Sequence, residues 1–284
     1  MRNKTYNMYL AKMNITRDLF NHNKIDELIN RIVDVLSSEF EPIEIINRGS
    51  VWWWAFELIE HFEFEDNRFL ICYLNKFKDD QFIKYDRTTF GTTSYTINDH
   101  VVDRSIFIFN PETELILFEH RPKISINQFC YLFSKLVEKR TGILEVVTHV
   151  LKNEENFINR IKGLSRITAA KFSLVPSNPD NNPLFERLDK SLRIVQATHS
   201  ELKIKGDSLK YDNTLLEEGV LSVVNGNGKA VIKGEKDGHI EAIDSESFLI
   251  HEQFHSSDTF VKEHLRDILL KKIRLKKRSD RNDK

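Results

Sequence analysis

Residues 105–140 read SIFIFNPETELILFEHRPKISINQFCYLFSKLVEKR and contain the two patterns that decide the fold. The runs SIFIFN and ELILFEH are strand-like, and the proline-containing turn at residues 110–113 between them predicts an antiparallel hairpin. Ser125 followed by Gln128 forms a capping box, after which apolar residues recur at helical spacing to about Arg140. A hairpin that leads into an amphipathic helix is typical of an α+β fold.

Similar patterns extend from this stretch in both directions. Towards the N-terminus we predict strands over residues 3–12, 51–64 and 68–77, and a helix over about 24–40. Towards the C-terminus we predict strands over 143–151, 166–175, 201–205, 220–224, 229–233 and 239–243. Helices are expected to begin at Asn153 and at Asn182, and a last helix to cover about 257–276. The strand-helix-strand unit of residues 143–175 predicts a right-handed parallel crossover.

These elements divide into two series, each of which ends in a helix. The sequence therefore predicts two tandem α/β sandwich-like halves with mixed sheets, for which a ferredoxin-like arrangement is one solution. The expected domains are residues 1–141 and 142–284. Because no Ser-, Gly- or Pro-rich linker separates the halves, we expect them to pack against each other and to unfold together.

The composition excludes several classes of protein. Of 284 residues, 40% are hydrophobic and 30% are charged, which excludes a disordered chain. No apolar run approaches the about 20 residues that a membrane-spanning helix needs, and the first residues do not have the pattern of a secretory signal. Cys72 and Cys130 are too few for a disulfide framework or a cysteine-based zinc site, and we expect two buried thiols. The sequence thus predicts a cytoplasmic protein without cofactor, metal or membrane partner.

Basic residues are concentrated at the end of the sequence. The last 14 residues, from Lys271, carry eight lysines and arginines against two aspartates, a net charge of +6; because the whole chain has a net charge of -1, the preceding residues carry -7. Such asymmetry is typical of proteins that bind nucleic acid or another polyanion. The predicted phosphate-binding residues are Lys271, Lys272, Arg274, Lys276, Lys277, Arg278 and Arg281. The alternative interpretation is a solvated end of the chain.

Residues 251–255, HEQFH, match the H-E-x-x-H zinc signature. That chemistry requires His251 and His255 one turn apart on a helix, with Glu252 as general base. However, apolar residues alternate through this segment as in a strand, which would place the two imidazoles about 13 Å apart. The zinc peptidase is therefore retained only as a third hypothesis.

A second candidate catalytic pattern joins Asp180 to Glu201 and Lys203. It resembles the PD-(D/E)xK nucleases, in which the acids hold a divalent metal and the lysine orients the attacking water. The helical segment between the two parts favours a parallel crossover here, whereas these nucleases use adjacent antiparallel strands. The other interpretation is a helix-capping turn and a solvated strand.

Two further motifs are ambiguous. In a strand, Trp53 faces away from Trp52 and Trp54, so the three tryptophans are either buried on both faces of a sheet or partly exposed for stacking. Residues 226–230, GNGKA, lack the spacing of a phosphate loop and predict a hairpin turn.

The layout of the second half resembles RexA-type phage-exclusion proteins of lambdoid prophages and the DNA-binding subunit of Kiwa antiphage systems. The resemblance covers residues 143–175, the strands around Gly238, His239 and Ile240, and the charged last helix. It implies a non-enzymatic, homo-oligomeric DNA-binding protein that is encoded on mobile elements and acts in antiviral defence. Separately, phosphate contacts by the basic residues predict binding without sequence preference, and a partner defence protein is expected. We therefore expect a nucleic-acid-binding or nucleic-acid-sensing protein, with the nuclease and the zinc peptidase as alternatives.

Overall fold

The computed structural model describes residues 4–15, 25–38, 42–47, 49–86, 88, 91–142, 145–177, 186–257 and 260–282. Its strands are β1 (Lys4–Ile15), β2 (Ile43–Asn47), β3 (Ser50–Phe64), β4 (Asn67–Asp86), β5 (Gly91–Asn110), β6 (Leu115–Glu119), β7 (Val146–Val150), β8 (Arg166–Leu174), β9 (Ser200–Leu209), β10 (Gly228–Lys236), β11 (His239–Asp244) and β12 (His251–Ser256). Its helices are α1 (Ile25–Ser37), α2 (Ile126–Thr141), α3 (Glu154–Lys162), α4 (Glu186–Ile194), α5 (Leu215–Val224) and α6 (Val261–Asn282).

An eight-stranded sheet, here called the large sheet, forms most of the molecule. Its order is β12-β1-β6-β5-β4-β3-β2, and every pairing is antiparallel. The long strand β1 pairs with β12 through residues 4–9 and with β7 through residues 11–15, so these two strands follow each other along the same edge of β1. The large sheet therefore combines strands from both ends of the chain.

Helices cover both faces of the central part of the large sheet, whereas the outer halves of β4 and β5 are mostly exposed. Helices α1 and α2 bury one face, where the rings of Phe118 and Phe129 stack with centroids 4.0 Å apart. Helix α6 covers the other face, here called the α6 face, with residues such as Leu265 and Leu269 packed on Met8 and other β-strand residues. Burial on both sides explains why the five residues of β6, LILFE, are all buried.

The remaining strands form a four-stranded antiparallel sheet, the small sheet, in the order β11-β10-β8-β9. Helices α3, α4 and α5 supply residues to the core on one of its faces. Gly219 allows α5 to approach closely, because a Cβ at this position would lie 2.9 Å from the Phe172 ring. The opposite face carries mostly exposed side chains.

The small-sheet unit is inserted between β7 and β12 of the large sheet. Its two ends lie side by side, since Lys152 and Leu249 form a β-bridge and the Asn153 amide donates to the Phe248 carbonyl at 2.6 Å. The predicted boundary between residues 141 and 142 thus does not coincide with the division into sheets. Strands β7 and β12 and helix α6 complete the large sheet although they lie beyond residue 142.

Much of the sequence-based description is confirmed. The α+β class, the hairpin β5-β6 and helices α1, α2 and α3 are present. Ser125 and Asn153 cap α2 and α3 as predicted, each accepting a hydrogen bond from the amide three residues later. Cys72 and Cys130 are buried free thiols, and burial raises the pKa of Cys130 to about 12. None of the described helices is both long and apolar enough to cross a membrane.

Three local predictions are wrong. The parallel crossover of residues 143–175 does not form, because β7 belongs to the large sheet and β8 to the small one. Residues 220–224 are the end of helix α5 rather than a strand, since the apolar stripe continues back to Leu216 and Thr214 caps the helix by accepting from the Leu216 amide. The turn at residues 225–227 therefore joins a helix to β10 and is not a hairpin turn.

Candidate nucleic-acid interface

The exposed face of the small sheet arises from a simple alternation. In β9, Leu202 and Ile204 pack against the core, whereas Lys203 and Lys205 are exposed on the other side. The same alternation places Lys171 of β8 outside, next to the buried Phe172. Strands of an antiparallel sheet that is covered on one face are expected to show this pattern.

Strand register brings the outward side chains into three rows. One row joins Lys203, Lys171 and Val231; a second joins Lys205, Ala169 and Lys233; and a third joins Glu201, Ser173 and Lys229. Neighbouring positions across strands are about 5 Å apart and those along a strand about 7 Å apart. We call the surface defined by Lys171, Lys203, Lys205, Lys229 and Lys233 the lysine face.

The charges on this surface are only partly balanced. Glu201 pairs with Lys171 at 3.2 Å and with Lys203 at 3.6 Å, and a hydrogen bond from Lys171 is the main reason that the pKa of Glu201 is lowered. Lys205 and Lys233 form no ion pair within the described part of the chain. With Lys229 held by Glu246 at 2.9 Å, the lysine face keeps excess positive charge on a surface that the described helices leave uncovered.

The basic residues predicted at the end of the chain lie on α6. Lys272 is paired with Glu252 at 2.9 Å and Arg274 with Glu65, while Lys271 is exposed. The side chains of Lys276, Lys277, Arg278 and Arg281 lie outside the described residues. Among the described members of this group, two are therefore already neutralised, one by an acid of β12 and one by an acid of the turn between β3 and β4.

The HEQFH segment forms strand β12, as its alternation indicated, and not a metal-binding helix. His251 lies against Tyr9, with ring centroids 5.0 Å apart, and the Nδ1 atom of His255 is 3.0 Å from the Thr5 hydroxyl. Glu252 forms the ion pair with Lys272 described above. The described residues contain no cluster of three or more His, Cys, Asp or Glu side chains that could hold a metal ion.

The nuclease pattern is only partly visible. Asp180 lies outside the described residues, whereas Glu201 and Lys203 project from β9 on the lysine face. The expected parallel crossover is wrong here too, because β8 and β9 are adjacent antiparallel strands although α4 lies between them in the sequence. Glu201 is surrounded by lysines in the described structure.

The three tryptophans have different surroundings. Trp54 is only 1% exposed and belongs to the core beneath α1 and α2. Trp52, on the same face, is half-buried beneath the Lys76 ammonium, which is 4.3 Å from its ring centroid. Trp53 faces the other way, pairs with Phe77 of β4 and is half-buried.

A buried charged cluster lies where the two sheets meet. The side chain of Lys152 is 0% exposed; its ammonium donates to the Val150 carbonyl at 2.6 Å and pairs with Glu246 at 2.7 Å. Burial lowers the pKa of Lys152. Burial alone would raise the pKa of Glu246, but the charges of Lys152 and Lys229 together have the larger effect and lower it. Burial also lowers the pKa of His149, with help from both lysines, to about 4.

The lysine face was not recognised from the sequence, although a signal existed. Three segments, AAKFS, LKIK and KAVIK, alternate lysines with apolar residues. Each lysine taken alone is an ordinary solvated strand residue, and only the pairing of β8, β9 and β10 brings them together. The order of these strands in the sheet was not available from a single sequence.

Comparison with known proteins gives one result that covers most of the chain. No curated protein matches it significantly. A family model described as a domain of unknown function, DUF4747, matches residues 11–274. The match includes strands of both sheets and the first 14 of the 22 residues of α6. The chain therefore belongs to the DUF4747 family.

Proposed function

We propose that this protein is a non-enzymatic nucleic-acid-binding protein that contacts phosphate groups through the lysine face. The observation that carries the proposal is the open sheet surface on which Lys205 and Lys233 have no acidic partner among the described residues. A row-by-row array of ammonium groups suits the regular negative charge of a nucleic-acid backbone.

The composition of the lysine face favours binding without sequence preference. None of the nine positions in its three rows is aromatic, so none of these side chains offers a ring on which bases could stack. Lysine is a flexible point charge, whereas sequence readout commonly uses planar arginine or amide groups. The sequence resemblance to RexA-type and Kiwa proteins supports DNA as the polymer and antiphage defence in the cytoplasm as the setting. Homo-oligomer formation and a partner defence protein belong to the same proposal.

The test compares two variants that each remove four positive charges. One changes Lys171, Lys203, Lys205 and Lys233 to Gln, and the other changes Lys276, Lys277, Arg278 and Arg281 to Gln. Binding to a random-sequence DNA duplex is followed by fluorescence anisotropy at several salt concentrations. Because Glu201 neutralises one of the four charges, loss of the other three phosphate contacts should flatten the log-log salt dependence by about 2 to 3 units in the lysine-face variant. The α6 variant measures the contribution of the terminal basic residues in the same assay.

Two results would contradict the proposal. One is an unchanged salt dependence in a lysine-face variant whose circular dichroism matches the parent. The other is absence of binding by the parent protein at low salt. Because the four substituted lysines lie on an open face, we expect the variant to fold normally.

A metal-dependent nuclease is the second candidate function. The adjacent antiparallel strands β8 and β9, with Glu201 and Lys203 on the outer side of β9, favour it. It requires magnesium-dependent cleavage of DNA that is lost when Asp180 and Glu201 are both changed to Ala. The leading proposal requires that the double variant still bind DNA, and that neither the parent protein nor the double variant cleave it.

A further inference from the structure

A small concave pocket of about 220 Å³ lies on the α6 face of the large sheet. Strand register explains its position, because Tyr73 pairs with Ile106, and Arg104 lies two residues before Ile106 on β5. Lys4 enters from β1, and Glu119 from the end of β6. Arg121 follows β6 and completes the wall.

Arg104 is held at this pocket by an aromatic ring. The centre of its guanidinium lies 4.3 Å from the centroid of the Tyr73 ring, so the ring supports the cation. Within the described residues its guanidinium makes no ion pair with a carboxylate, and the residue is exposed. The donors of Arg104 are thus available to a ligand while its position is restricted.

The other charges in the pocket hold one another in place. Glu119, whose side chain is 3% exposed, pairs with Lys4 at 2.9 Å and with Arg121 at 3.2 Å. Arg121 is held from the other side by Asp103 at 3.0 Å. At this pocket the cations Lys4 and Arg121 are paired with the acids Glu119 and Asp103. The third cation, Arg104, has no acid to balance its charge among the described residues.

We propose that this pocket binds the terminal phosphate of a nucleic-acid strand, an inference that rests on the proposed function and specifies its ligand. A terminal phosphate monoester carries about -1.5 to -2 charges at pH 7, more than a backbone diester. The planar donor fork of Arg104 fits two phosphate oxygens.

Shape separates this pocket from the lysine face. A concave site of about 220 Å³ accepts a strand end more readily than a phosphate within a continuous duplex backbone. The side of the Arg104 guanidinium that faces away from Tyr73 offers a surface on which a terminal base can stack. The pocket thus recognises ends, whereas the lysine face contacts the backbone.

The test uses the full chain and oligonucleotides that differ only in their 5′ or 3′ termini, each carrying either a phosphate or a hydroxyl. A charge-assisted arginine–phosphate contact predicts roughly tenfold tighter binding of one phosphorylated end. Arg104→Gln should remove this preference, and Arg104→Lys should restore it only in part, because it keeps the charge without the fork. Arg266→Gln is the matched control: Arg266 also stacks on an aromatic ring, that of Phe64 at 4.5 Å, but lies outside the pocket.

The outcomes distinguish this inference from the proposed function. If phosphorylated and unphosphorylated ends bind equally while the lysine-face variant shows a flattened salt dependence, only the inference is overturned. If no oligonucleotide binds, both are overturned. The last experiment measures the binding of inorganic phosphate to the parent protein and to Arg104→Gln. If phosphate binds only to the parent, and phosphorylated strand ends are not preferred, free phosphate is the ligand and strand-end recognition is overturned.

Discussion

The large and small sheets differ in how completely helices cover them. In the large sheet, β1, β6 and the adjoining parts of β4 and β5 are covered by α1 and α2 on one face and by α6 on the other, and all of β6 is apolar apart from Glu119. The small sheet has described helices on one face only, and the charged and apolar residues of β9 alternate. In each region the residue pattern therefore matches the number of covered faces: a continuous apolar strand where both faces are covered, and an alternating strand where one face is covered. The comparison teaches that a half-covered sheet, and not the larger core, offers the broad polar surface that a polyanion can contact.

The largest expected effect concerns the second covering layer of the large sheet. Leu265 of α6 is 0% exposed, and Leu265→Ala should lower the free energy of unfolding by about 2–5 kcal/mol through lost burial and a residual cavity. Leu275→Ala is the control in the same helix, because Leu275 is 51% exposed and should cost much less. Urea unfolding measures both. Equal effects of the two substitutions would show that α6 does not seal this face.

The sequence predicted the enclosed region better than the junction between the sheets. Phe129, Leu132, Leu136 and Ser125 defined α2 by local spacing and capping, and both signals lie within one segment. The position of β12 beside β1 depends on residues about 250 positions apart, such as Lys4 and Ser256, which no local pattern connects. The lysine face depends on the same kind of long-range register, so its members were visible but their association was not.

The second prediction concerns the buried ion pair between the two regions. Glu246→Gln leaves the fully buried Lys152 ammonium without its counter-charge and should cost about 3 kcal/mol of unfolding free energy. Lys152→Met removes the buried charge and fills similar volume, so it should lie within about 1 kcal/mol of the parent protein. Thermal and urea unfolding provide the comparison. If Lys152→Met is the more damaging change, the ion pair contributes net stability at the junction.

The third prediction is a pH dependence that arises from the same junction. The pKa of His149 is 6.5 without the protein environment and about 4 in the fold, so the unfolded chain binds more protons between these values. Stability that depends on neutral His149 is therefore present above pH 6.5 and is lost as the pH falls towards 4. His149→Gln should flatten the fall in unfolding free energy between pH 7 and pH 5, whereas His239→Gln, at an exposed position of β11, should not. Parallel curves for the parent and His149→Gln would contradict a lowered pKa of His149 in the fold.

The smallest expected effect tests whether the open face of the small sheet works as a charged surface. Glu201 is the one acid within the three rows of the lysine face, and it occupies Lys171 and Lys203. Glu201→Gln should strengthen duplex binding and steepen the log-log salt dependence by about one unit, because an ammonium group becomes free for a phosphate. Glu60→Gln is the control, since Glu60 has similar exposure and pairs with Lys262 at 2.8 Å on the large-sheet unit.

The same substitution separates the two proposed functions because they assign opposite roles to Glu201. In the binding protein its carboxylate opposes the nucleic acid, so its removal increases affinity. In the nuclease it holds the metal, so its removal abolishes magnesium-dependent cleavage. Weaker binding by Glu201→Gln at every salt concentration, with Glu60→Gln unchanged, would contradict a purely electrostatic role for this face.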